Sequence, residues 1–327
     1  MYRAKSLLKD IKVELEVLKL DKKIEHELEN SLEQSQKEFI LREKVKILEH
    51  ELGDNKNEIA TTYLEELESL NLPKSIYNKL TREIKKLEYT NDLSPEQAMI
   101  RNYLEWVLHL PWHKTTFENN NLEDIKRKLD EHHYGLEEIK NRILEYVALK
   151  NNNRDIKSPI ICLVGPPGVG KSSIAKQIAF ALNRKFYKIS VGGLNDSSEL
   201  IGHRRTYMGS NPGKIIQALR KCGSKNPVIL IDEIDKLNIN GKDDPTGVLL
   251  DILDKEQNTD FIDNYIEEPF DLSHIFFILT ANSLDTIPSA LKDRLEIIEL
   301  SSYTNYEKLD IDKKYLIPRI LEENKIQ

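Results

Sequence analysis

The sequence predicts an α/β fold, a parallel sheet with helices on both faces, preceded by an all-α helical arm with coiled-coil character. Two observations predict the sheet. Short, continuously apolar runs recur at 160–164, 228–231 and 275–279, with 297–300 as a fourth, and amphipathic helical stretches lie between them. Fully apolar strands alternating with helices indicate a sheet buried on both faces. The first run also leads directly into Gly165-Pro166-Pro167-Gly168-Val169-Gly170-Lys171-Ser172, which opens a helix over 171–182. A third observation predicts the arm: residues 1 to about 90 are charged and nearly free of Gly and Pro.

Within that arm, Leu8, Ile11, Leu15 and Leu18 step by three, four and three. Leu41, Val45, Leu48 and Leu52 step by four, three and four. Such spacing places a narrow apolar seam on a helix, as in helical hairpins and short coiled coils. Gly53-Asp54-Asn55, Pro73 and Leu93-Ser94-Pro95 punctuate it. The arm packs or spaces; nothing in it points to chemistry. Ser94-Pro95-Glu96-Gln97 is a helix start, with Ser94 as cap, Pro95 at the first position and Gln97 placed to return a bond. The helix after it carries Tyr103, Trp106, Val107 and Leu110, a stripe that reads as core. Residues 122–150 read as two helices separated by His132-His133-Tyr134-Gly135. Adjacent histidines diverge on a helix and do not by themselves make a metal site.

Charged residues make up 31% and the net charge is −7, so the whole-chain balance implies no nucleic-acid surface. Cys162 and Cys222 are the only cysteines and form no CxxC, which fits two buried small side chains in a reducing cytosol. No run of roughly 18 apolar residues marks a membrane span, and the charged start is not a secretion signal.

The run 160–164, the glycine loop and the helix after it have the strand–loop–helix order of a P-loop. Glycines let backbone N–H groups approach phosphates, and the helix N-terminus adds positive potential there. Lys171 suits the β- and γ-phosphates of ATP, and the Ser172 hydroxyl suits Mg²⁺. Asp232-Glu233 ends the second strand, at the edge where a parallel sheet holds its ligands. Asp232 is placed to hold Mg²⁺ through water, and Glu233 to orient and deprotonate an attacking water. Asn282, after the third strand, can align that water. Arg294 reads either as a group reaching a neighbouring subunit's nucleotide or as a partner of Asp293 or Glu296. The glycine-punctuated segment 190–214 contains Tyr207-Met208, an aromatic followed by a soft apolar side chain that can grip an extended peptide. Arg204 and Arg205 beside it could instead serve subunit contacts.

These residues resemble those of the Lon family of ATP-dependent proteases within the AAA+ superfamily. The resemblance rests on Ser35 to Lys44, Arg101 to Trp106, Leu110-Pro111-Trp112, Asp130 to Leu136, the P-loop, Gly202 to Gly209 and Ser301 to Thr304. It implies an α/β P-loop NTPase domain, the AAA+ large subdomain, over 116–303. The helical end of a substrate-engaging region would lie at 1–115, and the start of a small helical subdomain at 304–327. Lys171 and Asp232 would be the Walker residues, Glu233 the catalytic carboxylate, Asn282 sensor 1 and Arg294 the arginine finger. Tyr207-Met208 would be a pore loop of a cytoplasmic homohexameric ring that acts on unfolded or damaged proteins, and His133 and Tyr134 would lie near the adenine. Ser172 stands where Thr is commoner, and Lys255 where the family has Pro. The family's β domain, the rest of its small subdomain and its Ser-Lys peptidase domain are implied but not contained in these residues, and a weak ATPase is expected without them. The alternative is a chain that only contacts subunits or substrates.

Overall fold

A computed structural model describes Lys44 and residues 59–90, 94–153, 156–194, 196–207, 209–237, 244–313 and 317. The chain divides into two compact units, Met1–Thr62 and Tyr63–Gln327. The apolar seams at 8–18 and 41–52 lie outside the described residues.

The second unit opens with helical residues 63–69 (α1), then α2 (Lys74–Tyr89) and α3 (Pro95–Leu108). Ile76, Leu80, Ile84 and Leu87 step by four, four and three along α2, and all are buried. Ser94 caps α3 by accepting from the Gln97 N–H at 3.2 Å, with Pro95 at the first position. Tyr103, Val107 and Leu110 are buried as expected, and Trp112 donates its Nε1–H to the Val107 carbonyl at 2.8 Å. Helices α4 (Leu122–His132) and α5 (Glu137–Asn152) come next, joined through Leu136 in the left-handed region at φ 57°. The sequence predicts this break.

The α/β part runs β1 (Ile161–Val164), α6 (Lys171–Ala181), β2 (Phe186–Ser190), α7 (Ser198–Ile201), α8 (Lys214–Cys222) and β3 (Val228–Asp232). It continues with α9 (Pro245–Leu253), β4 (Phe261–Ile262), β5 (Pro269–Phe270), β6 (Phe276–Ala281), α10 (Ser289–Lys292), β7 (Glu296–Glu299) and α11 (Asn305–Ile311). Five strands form one sheet in the order β2-β3-β6-β1-β7, and every pairing in it is parallel. Ile161, Leu163, Val228, Leu230, Phe276 and Ile278 share a core with Ile125, Leu129, Ile143, Ile174 and Ile178 of α4, α5 and α6. The alternate residues Cys162, Ile229, Ile231, Phe277 and Leu279 are buried too, so both faces are covered. Cys162 is buried and Cys222 half-buried; burial pushes the Cys162 thiol up to about 12 and the Cys222 thiol up to about 11, which keeps both in the less nucleophilic thiol form. Among the described residues no helix is long and apolar enough to cross a membrane.

Strand β2 escapes sequence reading because it is an edge. Phe186 and Tyr187 are half-buried and Lys188 is exposed, so no apolar run marks it. The two-residue strands β4 and β5, paired antiparallel, are too short to leave a pattern.

Candidate nucleotide site

The sheet order decides what meets what. Strand β6 lies between β1 and β3, with Val164 opposite Ala281 and Ile231 opposite Leu279. The chain therefore leaves three adjacent parallel strands at one edge: the glycine loop from β1, Asp232-Glu233 from β3 and Asn282 from β6. Pro167, Gly168, Gly170, Lys171, Ser172, Asp232, Glu233, Asp235, Thr280 and Asn282 line a single cleft of about 380 Å³ there.

Gly165 is the residue after β1. A Cβ at this position would lie 2.3 Å from the Leu300 carbonyl oxygen, so only glycine lets the loop turn so close to the chain after β7. Gly168 and Gly170 take left-handed φ values of 86° and 92°. Gly170 is also the residue before α6, whose first N–H groups therefore open onto the loop. The Lys171 ammonium donates to the carbonyls of Gly165 and Pro166 and to Asn282 Oδ1, the last two at 3.0 Å. Burial lowers its pKa, against the pull of Asp235 and Asp232. Lys171 and Asn282, 111 residues apart, are thus in direct contact.

Asp232 accepts from Lys188 of β2 and from the Thr280 hydroxyl of β6. Burial pushes its carboxyl up, but those two donors outweigh it and hold Asp232 below the usual carboxylate range. Glu233 sits in the left-handed region at φ 64°, ψ 47°, uncommon for a residue with a Cβ. Its carboxylate pairs with Lys236 and lies against Gly192, where a Cβ would stand 2.5 Å from Glu233 Oε2. Asp235 comes next on a single 3₁₀ turn, and its Oδ1 is buried with no hydrogen-bond partner among the described residues. Three carboxylates therefore line the cleft with Lys171, Asp232 also paired with Lys188 and Glu233 with Lys236. This donor set fits a phosphate chain with a hard divalent cation, which binds through carboxylate, hydroxyl and water oxygens. Asp235, Thr280 and Lys188 were not singled out from the sequence. Asp235 had a signal, since Asp-Glu-Ile-Asp returns an acid to the same side after one turn.

The remaining predicted residues lie elsewhere. His133 and Tyr134 occupy the α4–α5 turn, outside the cleft lining, and the His133 carbonyl accepts from Lys140 Nζ at 2.9 Å. Among the described residues no His, Cys, Asp and Glu cluster could hold a metal by itself. Arg294 comes after α10 and is turned to α9: it donates to the Leu250 carbonyl at 2.6 Å and pairs with Asp254 at 3.0 Å. Neither Asp293 nor Glu296 is the partner seen; Glu296 is held by Arg142 at 2.6 and 2.7 Å.

Tyr207 is exposed, and Met208 lies outside the described residues. The neck of their segment is tightly built. Asp263 accepts from the Gly213 N–H at 2.7 Å and from the N–H groups of Tyr265 and Ile266 at 2.8 and 3.1 Å. A Cβ on Gly213 would stand 2.0 Å from the Leu200 carbonyl oxygen. Arg205 is committed within the chain: its guanidinium lies 4.8 Å from the Tyr103 ring centroid, with Glu83 and Glu267 each at 3.6 Å.

Known proteins match this sequence. The model for the "ATPase family associated with various cellular activities (AAA)" matches residues 161–303, and that for the "PrkA AAA domain" matches residues 113–206. The Lon protease of Fervidobacterium nodosum is 47% identical over 98% of this chain and 40% of its own length. The Lon protease of Clostridioides difficile is 48% identical over 96% of this chain and 40% of its own length. Lon protease 1 of Bacillus subtilis is 46% identical over 98% of this chain and 42% of its own length. The chain thus spans about two fifths of the relatives it matches. An AAA nucleotide-binding domain and near-unbroken similarity along this span have one reading: the chain belongs to the Lon protease family.

Proposed function

We propose that this chain is the ATP-binding and ATP-hydrolysing module of a Lon-type protease, which uses ATP to unfold protein substrates and move them toward a peptidase. The single observation that carries this is the meeting of Lys171, Asp232, Glu233 and Asn282 in one cleft at the ends of three neighbouring strands. The loop Gly165 to Ser172 holds the phosphates, its N–H groups from Gly168 onward and the start of α6 serving as donors, since Pro166 and Pro167 have none and the Gly165 N–H is taken by the Ala281 carbonyl. Lys171 places its charge on the β- and γ-phosphates, and Ser172 and Asp232 hold Mg²⁺, the latter through water. Mg²⁺, when bound, neutralises charge on the phosphate oxygens. Glu233 orients the attacking water and takes its proton, and Asn282, already in contact with Lys171, fixes the line of attack. His133 and Tyr134 flank the adenine.

Family membership supports the remaining roles. The arm 1–115 helps engage substrate, 116–303 is the ATPase domain and 304–327 begins a small helical subdomain. Identical cytoplasmic subunits form a homohexameric ring in which Tyr207 and Met208 line the pore, and Arg294 reaches the neighbour's nucleotide.

Titration with a fluorescent ATP analogue in Mg²⁺ tests the site. A charge-assisted phosphate contact contributes about 1.5–3 kcal/mol, so Lys171→Ala should weaken binding at least about tenfold. Unchanged affinity would sink the assignment.

A further inference from the structure

Two consecutive residues, Asp232 and Glu233, must both serve one cleft. Successive side chains of a strand point to opposite faces, so an uninterrupted β3 would send one of them away. The chain solves this by leaving the strand at Glu233 through the left-handed region, at φ 64° and ψ 47°. For a residue with a Cβ that conformation persists only when its surroundings hold it.

Thr280 is in position to hold it. It stands on β6 next to the end of β3, in an otherwise apolar run, and is 1% exposed. Its hydroxyl donates to Asp232 Oδ1 and accepts from the Glu233 N–H at 3.2 Å. A hydroxyl carries one donor and two acceptor lone pairs, so both bonds form at once. The same oxygen therefore orients the carboxylate of one acid and the backbone of the next. The backbone angle at Glu233 in turn sets its carboxylate, which is confined between Gly192 and Lys236.

Given that this cleft holds the nucleotide, we propose that Thr280 is a positioning residue for ATP hydrolysis, its one hydroxyl fixing the relative placement of Asp232 and Glu233. It lines the cleft, but its hydroxyl is engaged by Asp232 and the Glu233 N–H and not by the reacting groups. Its loss therefore slows the reaction and leaves nucleotide affinity nearly intact.

The test pairs Thr280→Val, which keeps the shape and removes the hydroxyl, with Thr280→Ser, which keeps the hydroxyl. The Val variant should bind Mg-ATP within about threefold of the parent chain, which also serves as its folding control, and hydrolyse it in single turnover at least about tenfold more slowly. The Ser variant should hydrolyse within about threefold of the parent. Hydrogen exchange at the Glu233 amide gives a readout that needs no turnover: it should quicken about tenfold in the Val variant and stay near the parent's in the Ser variant. Parent-like hydrolysis or exchange in the Val variant overturns the proposal. So does a Ser variant that falls as far as Val, because packing and not the hydroxyl would then matter. A parent chain that binds no Mg-ATP would refute the nucleotide site, and the amide exchange would still decide whether Thr280 holds the turn.

Discussion

Glu118 illustrates how much a single side chain far from the cleft carries. Its Oε1 accepts from Arg184 and from Asn226, both at 2.9 Å, and its Oε2 from Lys150 at 2.6 Å. Arg184 is almost fully buried and also donates to the His274 carbonyl at 3.2 Å. Burial pushes the Glu118 carboxyl up, yet these cations and the Asn226 amide bring it down to about 2, from 4.5. A carboxyl whose pKa is lower in the folded chain stabilises folding above its unfolded value, and that contribution disappears as pH falls from about 4.5 toward 2. After allowance for partial exposure it amounts to ~2 kcal/mol. Glu118→Gln should therefore be about 2 kcal/mol less stable than the parent in urea at pH 7, with the gap closing as pH drops toward 3. A gap that stays constant with pH would show that shape, not charge, is what Glu118 supplies. None of this was legible in the sequence, where Glu118 is one acid beside an asparagine run. Lys171, Asp232 and Asn282 were legible because each lies at or just beyond the end of an apolar strand. Thr280 and Lys188 were not, because their partners are set by which strands lie side by side.

Among the elements, those with an unbroken apolar run or a helical stretch set off by clear breaks were legible: β1, β3, β6, β7, α3, α4, α5 and α6. Those defined by tertiary contact, β2 and the β4–β5 pair, were not. The segment 202–213 belongs to both groups. Its glycines announced a special backbone, but nothing in the sequence said what holds it. Asp263 and the residues after it grip one end, and Arg205 joins the segment to α2 and α3 through Glu83 and Tyr103. An arginine stacked on a buried ring between two carboxylates contributes about 1–2 kcal/mol when partly desolvated. Arg205→Ala should lower the urea midpoint accordingly. Arg205→Lys should recover little, because an ammonium lacks the planar face that stacks on Tyr103. An unchanged midpoint for Arg205→Ala would mean that the segment is not tied to these helices.

For the molecule as a whole, the parallel sheet was legible from the alternation of strands and helices, but the order that sets β6 between β3 and β1 was not, and the helical arm up to 62 lies almost wholly outside the described residues. Of the four residues predicted to act in hydrolysis beside Lys171, Arg294 is the one placed apart. Lys171, Asp232, Glu233 and Asn282 converge within one chain, but Arg294 is turned to α9, where Asp254 and the Leu250 carbonyl hold it outside the cleft lining. A group needed for phosphoryl transfer but placed outside its own cleft can act on a neighbouring copy's nucleotide. Lys171→Ala and Arg294→Ala chains, each inactive in ATP hydrolysis alone, should then regain measurable turnover when mixed. Where an Arg294→Ala copy contributes its intact P-loop and an adjoining Lys171→Ala copy its intact Arg294, a complete site forms at their junction. If Arg294 acts only within its own chain, every site in the mixture lacks one of the two residues and no activity returns. Mixing the doubly substituted chain with either single variant gives the control: with the Lys171→Ala chain no copy has a working P-loop, and with the Arg294→Ala chain no copy supplies the arginine, so both mixtures should stay silent.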